Sequence, residues 1–265
     1  MESSFTPFHR GGSGPPLVLI HGFTDTWRTW ELVLPRLEAR FDVLAVTMPG
    51  HAGGPPLGEL TVDSLPDGVE TMMDEAGFEA AHLVGNSLGG FVSFQLASRG
   101  RALTVTGISP AGGWSAEAQE LHALDFFIPQ QKAVAKAAPF ADQIASTAEG
   151  RRQATRFIVS DPSLLTPELV AHQILGAASC PAALPMVELA RREGFNLDAA
   201  RIDCPVRFVW GTEDRLLPWP SYAVRYREEW LPGAEYVELD GVGHCPQLEV
   251  PLEVAELIAG TARLI

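Results

Sequence analysis

Gly85-Asn86-Ser87-Leu88-Gly89 follows the apolar run Ala81 to Val84 and directly precedes Gly90-Phe91-Val92. A G-x-S-x-G stretch in that setting predicts a strand that stops, turns sharply and enters a helix, with the serine hydroxyl exposed at the turn. Glycines on both sides keep side-chain bulk out of the turn. The helix that follows begins with free backbone N–H groups whose positive end faces the place where charge would develop on a substrate oxygen. Ser87 is therefore the candidate nucleophile, and Leu88 contributes its backbone N–H rather than its side chain.

Outward from this turn, apolar runs suited to strands buried on both faces occur at Leu17 to Ile20, Asp42 to Val46, Ala81 to Val84, Leu103 to Ile108 and Val206 to Trp210. Helical stretches lie between them at Trp27 to Ala39, Val62 to Glu75 and Leu88 to Ser98. The alternation implies an α/β fold with a mostly parallel central sheet flanked by helices and joined by right-handed crossovers. It breaks after Ser109-Pro110-Ala111-Gly112-Gly113 and resumes at Cys204-Pro205-Val206. Residues 1–113 and 197–265 are thus expected to form one core, and residues 114–196 an inserted helical cap. Within and beside the cap, Trp114, Phe126, Phe127, Phe157 and Met186 are candidates for lining a substrate pocket, with packing inside the cap as the competing role.

The chain of 265 residues and 28.6 kDa is long enough to bury roughly 73% of its unfolded surface without disulfides or a structural metal. Its net charge of -14 opposes both a phosphate backbone and an anionic bilayer, so neither nucleic acid nor a membrane is an expected partner. Cys180, Cys204 and Cys245 are odd in number and lack the paired spacing of a zinc or redox site. With no basic-then-apolar segment at the N-terminus and no run of membrane-spanning length, these thiols suggest a cytoplasmic protein.

A serine hydroxyl needs a base within hydrogen-bond reach and a third group to orient that base. His244 lies in the glycine-rich loop Asp240-Gly241-Val242-Gly243-His244-Cys245-Pro246, after the strand-like Tyr236 to Leu239 and before a helix opening near Pro251. Asp214, in Gly211-Thr212-Glu213-Asp214, likewise follows a strand and is preferred to Glu213 as the orienting acid. Read singly, Asp214 is a turn or capping carboxylate and His244 a loop histidine. The order Ser, Asp, His along the chain gives them a joint meaning. His21-Gly22-Phe23 follows the strand ending at Ile20, which makes the Phe23 N–H the second oxyanion donor and His21 a loop-shaping residue. Cys245 reads as a small packed residue.

The chain resembles the α/β-hydrolase superfamily over nearly its whole length, through His21-Gly22-Phe23, Pro49-Gly50-His51, Gly85 to Gly90, Gly211 to Pro218 and Gly243 to Pro251. The resemblance implies Ser87 as nucleophile, His244 as general base and acid, Asp214 as its orienter, and Phe23 with Leu88 as oxyanion donors, with no cofactor and no metal. Met48 stands where relatives often carry Asp, a departure that touches loop packing; His51 belongs to the same loop and reads as structural. Relatives acting on haloalkanes or epoxides look as though they use Asp at the nucleophile position, so Ser87 points to acyl transfer on a small to medium apolar ester. The Gly85-Asn86-Ser87-Leu88-Gly89-Gly90 stretch is also similar to that of hydrolases cleaving carbon–carbon bonds in ring-fission products, where Arg191 and Arg192 are candidates to hold an anionic substrate. Lactone hydrolysis, peracid formation and a non-enzymatic small-molecule receptor on the same scaffold stay open.

Overall fold

The computed structural model describes residues 5–115 and 122–265. Seven strands, β1 (Phe8–Gly12), β2 (Pro16–Ile20), β3 (Asp42–Val46), β4 (Ala81–Asn86), β5 (Ala102–Ile108), β6 (Val206–Gly211) and β7 (Glu235–Leu239), form one sheet in the order β1-β3-β2-β4-β5-β6-β7. Every pairing is parallel except that of β1 with β3. β3 lies on one side of β2 and β4 on the other. The winding therefore reverses direction at β2, and the loops leaving the carboxyl ends of β2 and β4 border the crevice where such sheets bind ligands.

Period-2 alternation distributes each strand between two apolar layers. Val18 and Ile20 of β2 and Leu44 and Val46 of β3 face one cluster with Val69, Met72 and Met73 of α2 (Ser64–Glu75) and Val92, Phe94 and Leu96 of α3 (Leu88–Ser98). Leu17, Leu19, Val43 and Ala45 face the other, closed by Leu34 and Leu37 of α1 (Leu34–Leu37) and by Val254 and Ile258 of α10 (Pro251–Ala262). The unbroken apolar runs are thus strands covered on both faces.

Two departures from the sequence reading have local causes. The helix expected from Trp27 to Ala39 is a 3₁₀ turn, Trp27–Trp30, followed by the short α1, because Pro35 near the start of α1 has no N–H to continue a helix begun at Trp27. The edge strand β1, Phe-His-Arg-Gly-Gly, gives no apolar run to read because neither of its faces is buried. Its Arg10 pairs with Asp42 on the neighbouring strand at 2.8 Å.

Between β5 and β6 the described residues contain helices and no strand: α4 (His122–Ala137), α5 (Ala141–Ser146), α6 (Ala148–Thr155), α7 (Pro167–Ala178) and α8 (Ala183–Glu193). Ala141, Ala145, Leu165, Leu169, Val170 and Ile174 make a separate apolar cluster, which is completed by Cys245 and Leu248. A short helix, α9 (Pro246–Glu249), begins just beyond Cys245 and precedes α10. No single helix among the described residues is long and apolar enough to cross a membrane.

His172 of α7 joins this segment to the loop after β2 through Nε2 and the Thr26 hydroxyl, 2.9 Å apart, and its ring lies 4.7 Å from that of Phe5. Burial, with a smaller push from the Arg28 charge, lowers its pKa from 6.5 to about 4. Between those values the unfolded chain binds the proton and the folded chain does not, so the stability contributed by His172 is complete above pH 6.5 and is lost as pH falls toward 4. The stability gap between wild type and His172→Gln, measured by urea unfolding, is expected to shrink by on the order of 2 kcal/mol from about pH 7.5 to about pH 5. A gap independent of pH would contradict a neutral His172 in the folded protein.

Candidate active site

The turn between β4 and α3 is set by contact distance before it is set by chemistry. A Cβ on Gly85 would stand 2.1 Å from the Gly89 carbonyl oxygen, and one on Gly89 would stand 2.2 Å from that of Ile20. Only glycine lets α3 start this close to β4 and β2. Ser87 takes φ 54° and ψ −117°, a conformation costing on the order of 1–3 kcal/mol for a residue with a side chain. Its own backbone holds it there. The Ser87 N–H donates to Ile108 O at 2.9 Å, and its carbonyl accepts from Ala111 N at 2.9 Å and Gly90 N at 3.0 Å.

Asp214 and His244 leave β6 and β7 at the same end of the sheet. His244 Nδ1 and Asp214 Oδ2 are 2.7 Å apart, and both side chains are buried. The other carboxylate oxygen accepts the N–H groups of Leu216 at 2.9 Å and Leu217 at 2.7 Å, which fixes the plane of the acid. With Nδ1 donating to Asp214, Nε2 is the basic nitrogen; it is buried and has no hydrogen-bond partner in the protein. The structure thus brings Asp214 and His244 into contact and leaves Nε2 without a bond to the Ser87 hydroxyl. Catalytic hydrogen bonds are commonly loose before substrate binds.

Two residues that motif reasoning did not assign a positioning role align the base with the nucleophile's strand. Asn86 Nδ2 donates to the carbonyls of His244 and Ile108, each at 3.1 Å, and its Oδ1 accepts from Cys245 Sγ at 3.3 Å. Its side chain is spent within the protein and does not face a substrate. Glu249 accepts the N–H of Gly243 at 2.6 Å on one oxygen and those of Ser160 and Asp161 at 2.9 and 2.8 Å on the other. The loop carrying His244 is thereby tied to the helical segment. The only prior hint of this was a carboxylate in the first turn of a helix just after the histidine.

Gly22 packs against the nucleophile: a Cβ there would lie 3.3 Å from that of Ser87. This places Phe23 beside the turn. Leu88 is the first residue of α3, where the N–H has no intrahelical acceptor. His21 shapes this loop, with Nδ1 2.7 Å from Gly22 O and Nε2 accepting from Met48 N at 2.9 Å. Burial, reinforced by neighbouring His51, holds its pKa well below the ordinary range. One neutral tautomer satisfies both contacts. Met48, which replaces the acid common in relatives, is fully buried in the core. His51 Nδ1 lies 3.2 Å from Pro49 O, and burial lowers its pKa to about 4. Burial raises the Cys245 thiol well above its usual range, with the charges of Asp25 and Asp214 adding to the effect, so it is a packed hydrogen-bond donor and not a thiolate.

A cavity of about 60 Å³ opens on Ser87, and Phe23, Leu88, Trp114, Phe127 and Met186 contribute to its wall. Phe126 and Phe157, the other two expected pocket residues, do not line it. They pack on each other at 4.8 Å, and Phe126 backs Phe127 at 5.6 Å. The cavity also meets Phe195, near the end of the span expected to form the cap, and Leu217, outside that span. It carries no charged side chain. Arg191 pairs with Asp125, and Arg192 with Glu193 at 2.8 Å, so neither guanidinium reaches it. Among the described residues, no cluster of His, Cys, Asp and Glu side chains could hold a metal ion.

The sequence model of the alpha/beta hydrolase family matches residues 17–257. The epoxide hydrolase EphH of Mycobacterium tuberculosis is 36% identical over 196 residues, covering 73% of this chain and 91% of that protein. A pimeloyl-[acyl-carrier protein] methyl ester esterase of Aromatoleum aromaticum is 30% identical over 275 residues, covering 94% and 98%. Among solved structures, a 2-hydroxy-6-oxo-6-phenylhexa-2,4-dienoate hydrolase from Rhodococcus superposes with a TM-score of 0.73 at 22% identity, covering 98% of each chain, a likeness of fold. The match spanning β2 to α10 and the strand-end loops described above agree: this chain is an enzyme of the alpha/beta hydrolase family.

Proposed function

We propose that this enzyme hydrolyses carboxylic esters of small to medium apolar substrates through an acyl-enzyme on Ser87. The observation that carries the reading is the strained Ser87 turn opening on an uncharged cavity, with the bonded Asp214–His244 pair on the adjoining loops. His244 Nε2 takes the Ser87 proton as Oγ attacks the carbonyl carbon, and the oxyanion rests on the N–H groups of Phe23 and Leu88. Collapse expels the alcohol, which takes that proton from His244. Water, deprotonated by the same nitrogen, then attacks the acyl carbonyl and releases the acid and Ser87. Every step uses groups of this chain alone.

The resemblance to a protein named an epoxide hydrolase is weighed against the nucleophile. A serine that opens an epoxide forms an alkyl ether, which offers no carbonyl for water to attack, so the enzyme would be trapped after one event. A carboxylate nucleophile forms an ester and escapes this. Ser87 therefore supports acyl transfer. Cleavage of a carbon–carbon bond in an anionic ring-fission product is less well supported, because the cavity has no cation and the Asn86 amide is engaged by His244 O, Ile108 O and Cys245. The three unpaired cysteines support a cytoplasmic setting.

Ser87→Ala is expected to abolish nearly all hydrolysis of a short activated ester while leaving the circular dichroism spectrum unchanged; wild-type turnover in that variant would overturn the assignment. A panel of an apolar ester, a lactone, a styrene-type epoxide and a ring-fission dienone acid separates the alternatives. The ester should be turned over fastest, and preferential turnover of the acid or the epoxide would replace this reading. No turnover of any member would favour a receptor. Asp214→Asn is expected to lower kcat by about 10³–10⁴-fold, with KM changing little, because His244 loses the acceptor that fixes its tautomer. A drop confined to KM would show Asp214 to act in binding instead.

A further inference from the structure

A second cavity, of about 160 Å³, lies on the other side of Phe23, between the loop after β2 and helices α4, α6 and α7. The two chambers share Phe23, whose ring meets that of Phe127 edge-on at 4.9 Å. The wall of the second chamber is mostly apolar, with Val134, Ile158, Val170 and Ile174, and it is interrupted by the side chains of Gln173 and Asp25.

Gln173 is the anomaly. Both its amide nitrogen and its amide oxygen are shielded from solvent, and neither has a hydrogen-bond partner. An amide buried without partners costs on the order of 1–3 kcal/mol for each unsatisfied group, a penalty that a leucine at this position of α7 would avoid. The deficit is removed if an occupant of the chamber both accepts from Nε2 and donates to Oε1. Asp25 stands on the same wall, with Oδ1 accepting from Thr26 N at 2.8 Å. Burial raises its carboxyl to about 6, so ionisation there is costly. Thr24, also on this wall, has φ 61°, a left-handed conformation strained for a β-branched residue. The loop that offers Phe23 to the oxyanion is thus also held in a costly shape around the second chamber.

We propose that this chamber is a substrate subsite for the far end of a chain whose carbonyl lies at Ser87, and that Gln173 there receives an uncharged group that both donates and accepts hydrogen bonds, a hydroxyl or a carboxamide. The substrate arm reaches it past Phe23, the residue common to both chambers. Its apolar stem lies against Val170 and Ile174, and its polar end bonds the unpartnered Gln173 amide. This deepens the ester reading, and it rests on that reading only for which bond is cleaved.

Binding of stable ketones tests the subsite without requiring turnover, so an inactive preparation would bear on the ester assignment alone. A homologous series of alkan-2-ones and their ω-hydroxy counterparts is titrated calorimetrically into the wild-type enzyme. At one chain length the ω-hydroxy ketone is expected to bind roughly tenfold tighter than its alkyl partner. Gln173→Leu is expected to erase that preference while keeping alkyl ketone affinity within about twofold. Ala177→Phe, which fills the chamber from α7, should weaken binding of long ketones of both kinds and spare short ones. Absence of a hydroxyl preference at every length, its persistence in Gln173→Leu, or unchanged long-chain affinity in Ala177→Phe would each overturn the proposal.

Discussion

The site depends on one constraint, the left-handed backbone of Ser87 at the carboxyl end of β4. An ordinary conformation there would let α3 leave the sheet at a shallower angle and turn the hydroxyl into the packed core. The strain persists because neighbours over-determine it: Ile108 and Ala111 grip the backbone of Ser87 on either side, and the side-chain-free faces of Gly85 and Gly89 let α3 touch β4 and β2. Strain of a few kcal/mol is carried by a sheet with two apolar faces, whose burial exceeds it many times over. Stability from the layers is in this sense what makes the strained, cavity-facing Ser87 possible.

From that turn, alignment passes outward through side chains rather than through the sheet alone. Asn86 belongs to β4 yet bonds the carbonyl of His244, so the strand leading to Ser87 and the loop carrying His244 share one anchor. Glu249 then binds Gly243 on the near side and Ser160 with Asp161 on the far side. Three N–H donors favour its ionised form, while burial works against it and wins, raising its pKa. The loop that carries the base is therefore clamped between the core and the helical segment. A shift of that segment would be felt at His244 through Glu249 and Cys245, without any direct contact with substrate.

Much of this was legible in the sequence because the decisive signals were short and local. Continuous apolar runs marked the buried strands, and glycines marked the turn at Ser87 and the loop before His244. What escaped was long-range or lacked a pattern. The edge strand β1 buries neither face and so leaves no hydrophobic period. Pro35 divides a stretch whose periodicity reads as one helix. The bonds of Asn86 to His244 and Cys245 leave no sequence pattern because those partners are more than 150 positions away. Aromatic spacing in the helical segment marked Phe126, Phe127 and Phe157 alike. Only three-dimensional packing separates Phe127, which faces the cavity, from Phe126 and Phe157, which meet edge-on behind it.

The division of labour that emerges places chemistry and selectivity on one loop. In the proposed reaction Phe23 offers its N–H to the oxyanion; it also lines both chambers, and the next two residues, Thr24 and Asp25, line the second. A ligand filling that second chamber presses on the same few residues that position the oxyanion donor. Binding energy gained far from the reacting bond then acts on the geometry at the bond, which raises kcat and not merely affinity when the contact strengthens in the transition state.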